Sequence, residues 1–180
     1  MKVFFLRSAF FILLVFLQIS FFGIIFPWFH APLFLIGVVV AMTLVRSFPD
    51  VLFIVLPVTL LFDVASSGTI TWFSVFAILT SYVTSFLLRR LMIDHRAMGL
   101  VLYALESYGA TLLYQGVFFA LLYRQTIVDH TVMISNLPSV DSLLFALVSF
   151  IPVFFLTYVI VRRFEDFIEV LNQKQFRGIR

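Results

Sequence analysis

Six apolar runs separated by short polar junctions constrain this chain more than any other feature of it. They cover 9–26, 33–45, 51–62, 70–88, 98–122 and 142–161. A helix of about 20 apolar residues matches the hydrocarbon layer of a bilayer. Backbone polar groups in lipid must be satisfied internally, which leaves helices or closed barrels. The pattern therefore predicts an all-α fold, a polytopic membrane helical bundle with six transmembrane helices. Composition agrees: 63% of the residues are hydrophobic and 12% are charged, against about 25% charged in soluble domains. A soluble fold of 180 residues could not hide so much apolar surface. The expected organisation is one membrane domain over 1–163 and a cytoplasmic amphipathic tail over 164–180.

The first run follows Lys2 and Arg7 and lacks a small-residue cleavage site after it, so it reads as an uncleaved helix. Pro27 to Pro32 forms an interfacial turn, with Trp28 at headgroup level and Pro32 at the first turn of the next helix. The second and third runs are short, and 46–50, with its charge pair and Pro49, separates them. They read as two helices emerging at the surface or as a re-entrant hairpin. Pro57 distorts the third helix. Residues 63–69 read as a loop, with Ser67 or Thr69 capping the fourth helix. The basic residues then set the orientation. With the N-terminus in the cytoplasm, eleven of the 12 Lys and Arg fall on the cytoplasmic side and only Arg124 falls outside. That bias predicts six spans with both termini in the cytoplasm. The bases read as topology signals and as contacts to anionic lipid at the cytoplasmic face, with no nucleic-acid role.

Few side chains offer chemistry. Cysteine is absent, and His30, His95 and His130 lie in loops without metal-ligand spacing. No nucleophile elbow, phosphate-binding loop or catalytic carboxylate pair is present, so neither an enzyme nor a cofactor is expected. Glu106 lies about 12 Å into the fifth helix, on one face with Tyr103, Gly109 and Ala110. A carboxylate there either meets a partner helix or substrate, or is protonated and fixes packing. Asp63 is either a functional hydrogen-bonding residue of its turn or the centre of an Asx turn with Ala65 or Ser66. Ser74, Ala77, Ser81, Thr84 and Ser85 form one stripe on helix four, and Ala77, Ser81 and Ser85 make a small-xxx-small row. Small residues allow close approach and hydroxyls can bond across, within the bundle or to a partner. Gln18 and Gln115 are similar polar contacts. In the tail, Phe164, Phe167, Ile168 and Leu171 make an apolar face opposite Glu165, Asp166 and Glu169. The tail lies on the membrane, receives a partner or continues helix six.

The stretch from Pro32 to Arg90 resembles the MreD family, the rod-shape-determining membrane proteins of bacteria. It has a Pro-initiated apolar helix and a second helix ending Leu60-Leu61-Phe62-Asp63. A short loop with Gly68 and a long helix ending Arg89-Arg90 follow. Asp63 and Gly68 match the family's Leu-Leu-x-Asp and loop glycine, whereas the family's preceding glycines are Val55 and Thr59 here. The resemblance implies a fold similar to the substrate-binding subunits of energy-coupling-factor transporters. It also implies a non-catalytic scaffold of the cell-elongation complex that directs peptidoglycan synthesis. The partners would be a single-pass MreC-like protein and, through it, an MreB-like filament and the cell-wall synthases. By that resemblance Asp63 and its turn would lie close to the MreC-like partner. The competing expectation is a membrane subunit that binds a vitamin-like substrate for a transporter.

Overall fold

A computed structural model describes residues 2–17, 20, 33–67, 72–91, 97–125 and 140–177. These form six helices, and no strand occurs among the described residues. They are α1 (Lys2–Leu17), α2 (Leu33–Val45), α3 (Phe48–Ser67), α4 (Phe73–Leu91), α5 (Ala97–Gln125) and α6 (Val140–Arg177). The expected bounds hold for α2 and nearly so for α5. The turn around Trp28 and Pro32, Gln18, and the three histidines lie outside the described residues.

Helix α2 is the centre of the bundle. It is apolar on every side, and residues 35–44 are buried throughout, as expected of a helix with no polar face. It packs against α3, α4, α5 and α6, while α1 lies against α3 and α6. Gly37 permits the approach of α6: a Cβ there would sit 3.2 Å from Phe150 Cζ and 3.6 Å from Phe154 Cδ2. At about 1.5 Å per residue, the 13 residues of α2 reach roughly 20 Å, short of a 30 Å hydrocarbon layer.

The junction between α2 and α3 is tighter than 46–50. Arg46 N–H still donates to Met42 O (2.8 Å). Ser47 then leads into α3: its carbonyl accepts Val51 N–H (3.0 Å), its hydroxyl donates to Asp50 Oδ2 (2.7 Å), and Pro49 occupies the first turn, where a missing N–H costs nothing. Helix α3 continues through Pro57 to Ser67, so 63–67 is helix rather than loop. Helix α4 starts at Phe73, three residues later than its apolar run.

Helix α6 runs unbroken across 163–164, the expected boundary between bundle and tail. Its buried stripe, Phe150, Phe154, Thr157, Val161, Glu165 and Ile168, keeps one phase throughout. Glu165 therefore lies on the inner face and Phe167 on the outer (54% exposed), a correction to the face assigned from apolar spacing. Within α6, Leu143–Leu171 is long and apolar enough to cross a membrane, and Phe34–Val45 in α2 is a shorter apolar helix.

Candidate functional site

Eleven polar or charged residues are buried among the described residues. Eight are Ser or Thr whose hydroxyls donate to a carbonyl four residues earlier in the same helix, as Ser81 does to Ala77 O (2.9 Å) and Thr111 to Ser107 O (2.8 Å). In apolar surroundings this back-bonding satisfies the hydroxyl and leaves the side chain compact. It changes the expected role of the α4 stripe. Ser74, Ala77, Ser81 and Thr84 do face the bundle interior and are buried, and Ser85 is half-buried. Close packing follows from their size, but the Ser81 hydroxyl bonds along its own helix rather than across.

Three acidic residues tie helices together, and each does so differently. Asp63, in the last turns of α3, receives the start of α4. Its carboxylate accepts Phe73 N–H at Oδ1 (2.9 Å) and Ser74 N–H at Oδ2 (3.0 Å), and the Ser74 hydroxyl also donates to Oδ2. The reason lies at the preceding residue. Trp72 starts the helix, its carbonyl accepting from Phe76 N–H (3.3 Å), but it has no side-chain acceptor and sits at φ 59°. Helix starts expose N–H groups that need an acceptor, and Asp63 supplies one from ten residues away. Phe62, Phe73, Phe76 and Tyr114 pack edge-on beside this cap, with centroids 4.9–5.7 Å apart. Asp63 is thus a hydrogen-bonding residue of the junction, with partners at Phe73 and Ser74 at the start of α4. Gly68 lies outside the described residues.

Glu106 joins α5 to α4. Its Oε1 lies 2.8 Å from Thr84 Oγ1, which is also 2.8 Å from Thr80 O. A hydroxyl has one proton to give. The Thr84 hydroxyl is therefore shared between the carbonyl of its own helix and the carboxyl group on α5. Glu106 Oε2 and the Tyr103 hydroxyl, one turn apart on α5, are buried and make no hydrogen bond among the described residues.

Glu165 forms the third tie, which sequence reasoning missed. It is 1% exposed. Its Oε2 accepts Arg7 Nη2 (2.7 Å), Arg46 Nη2 (2.7 Å) and Arg46 Nε (2.9 Å), and Arg46 Nη2 also reaches Glu169 Oε1 (3.2 Å). Phe10 stacks on Phe164 alongside, with centroids 4.0 Å apart. Removing one partner of such a buried pair costs roughly 3–5 kcal/mol. The signal was present in the spacing: Glu165 is in phase with Phe154, Tyr158 and Val161, and Arg46 is a lone base at a helix junction.

No group of three or more acidic or histidine side chains able to hold a metal occurs among the described residues. No protein-family model matches the chain, and no curated protein or solved structure matches it.

Proposed function

We propose that this chain is a six-span membrane protein with both termini in the cytoplasm. We further propose that it acts as a scaffold of the bacterial cell-elongation complex, docking a single-pass MreC-like partner. One observation carries the membrane part: the outer surface is as apolar as the interior. Large apolar side chains cover the outside of the helices, and Phe53, Met98, Phe145 and Val64 are 74–81% exposed. In water such a surface would aggregate; in lipid it is solvated. The convergence of Arg7, Arg46 and the α6 segment after Arg162-Arg163 supports the orientation, because three base-bearing segments share one end.

The scaffold part rests on the resemblance in 32–90 and on what the acids do. Asp63 and Glu165 are occupied in holding helices together, which leaves apolar helix faces as the surface for recognition. The transporter reading is favoured by one observation, the unpaired Tyr103 hydroxyl and Glu106 Oε2 inside the bundle. Depletion in the native cell separates the two. Rounding of rod-shaped cells supports the scaffold. A growth defect with normal shape, relieved by one vitamin, overturns it in favour of the transporter.

A further inference from the structure

The tie at Glu165 is incomplete. All three donors converge on Oε2, while Oε1 and Arg7 Nε are buried and have no hydrogen-bond partner among the described residues. An orphaned acceptor and an orphaned donor in one cluster each cost about 1–3 kcal/mol. The rim of the cluster has the same two-sided character. The Arg7 and Arg46 side chains are each 23% exposed, and beside them the Glu169 side chain is 58% exposed. The two guanidiniums are pinned from beneath by Glu165, so they lose little freedom on binding a phosphate.

Charge then selects the ligand. Two arginines and two glutamates sum to zero, so the cluster does not concentrate simple anions, although it sits at the base-rich end of the chain. It fits a dipolar group, phosphate toward the guanidiniums and ammonium toward the carboxylates. Resting on the membrane reading above, which puts this end at the headgroup layer, we propose that Arg7, Arg46, Glu165 and Glu169 bind the phosphoethanolamine headgroup of an aminophospholipid. The phosphodiester lies on the outer edges of Arg7 and Arg46, and the ammonium lies against Glu169. Glu165 is the positioning residue for both arginines.

The test uses the full chain purified in detergent. Lipids of identical acyl chains, with ethanolamine, choline or glycerol headgroups, are scored by native mass spectrometry. The ethanolamine lipid is retained about fivefold over the other two, the factor for one surface charge contact. Glu169→Gln, an exposed change that spares the buried pair, lowers ethanolamine retention to the choline level and does not lower retention of the glycerol lipid. Retention of the glycerol lipid at or above the ethanolamine lipid overturns the proposal in favour of a general basic patch. An ethanolamine preference that survives Glu169→Gln also overturns it. Soluble O-phosphoethanolamine at equal concentration leaves the lipid bound, and displacement by it overturns the lipid as the source. Recovery of the chain in the soluble fraction of cells refutes the membrane reading itself. Loss of headgroup preference in membrane-extracted protein refutes only this assignment.

Discussion

Replacing Asp63 by alanine tests whether this residue is a structural cap or a docking residue. The carboxylate accepts two backbone N–H groups, from Phe73 and Ser74, together with the Ser74 hydroxyl. A side-chain cap alone contributes about 1 kcal/mol. Here Phe73 is fully buried (0% exposed), so its N–H has no ready substitute, and a buried unsatisfied donor costs about 1–3 kcal/mol. Together these give about 2–4 kcal/mol. Chains of this size shift by about 2–4 °C per kcal/mol, so Asp63→Ala lowers the melting temperature by about 5–15 °C. Asp63→Asn keeps one acceptor and turns an NH2 toward the second amide, so it falls between the two. The assay is thermal unfolding of detergent-purified protein followed by intrinsic fluorescence, which Trp72 at the start of α4 reports locally. An Asp63→Ala protein that melts within about 2 °C of the parent refutes the cap argument. If that protein also fails to complement in cells, Asp63 belongs to a partner interface instead.

Three further perturbations bear on the other contacts. Gly37→Ala forces Phe150 Cζ to move from 3.2 Å and destabilises by about 1–3 kcal/mol. Gly109→Ala meets no atom within 4 Å and stabilises by up to about 1 kcal/mol. The two melting temperatures must move in opposite directions. Glu165→Ala leaves two arginines without their shared acceptor and costs roughly 3–5 kcal/mol, whereas Glu169→Ala, at an exposed pair, costs at most about 1 kcal/mol. Equal losses in the two proteins' melting curves would remove Glu165 from the centre of the cluster. Glu106→Gln keeps an oxygen for Thr84 and changes stability by less than about 1 kcal/mol. Loss of complementation with an unchanged melting curve assigns Glu106 a role that needs its charge or proton.

The parts of this fold legible in the sequence are those fixed by local chemistry. Helix α2 was bounded correctly because Pro32 and Arg46 frame an uninterrupted apolar run. The inward face of Ser74, Ala77, Ser81 and Thr84 was legible because side-chain size at helical spacing is a local property. The partners of Asp63 and Glu165 were not legible, for the opposite reason. The partners of Asp63 are ten and eleven residues on, at the start of another helix. An acid near Ser66, Ser67 and Gly68 has the local signature of a turn, and nothing nearby distinguishes the two. Glu165 sits within a charged segment whose apolar residues also fit a second helical phase, through Phe167. Only its arginines, 119 and 158 residues away, fix the phase.

Two of the three acids follow a physical rule that bears on where recognition can occur. A carboxylate inside an apolar bundle is tolerated where it replaces a hydrogen bond or charge the fold would otherwise lack. Asp63 replaces the missing cap of α4, and Glu165 neutralises arginines brought inward by α1 and α2. Glu106 is the exception. Its contact with Thr84 duplicates a bond Thr84 already has to Thr80 O, and its second oxygen is unused. Helix α4 would be satisfied without it. Of the three, Glu106 is therefore the residue whose presence the described fold explains least, and the one at which a loss of function is expected to separate from a loss of stability.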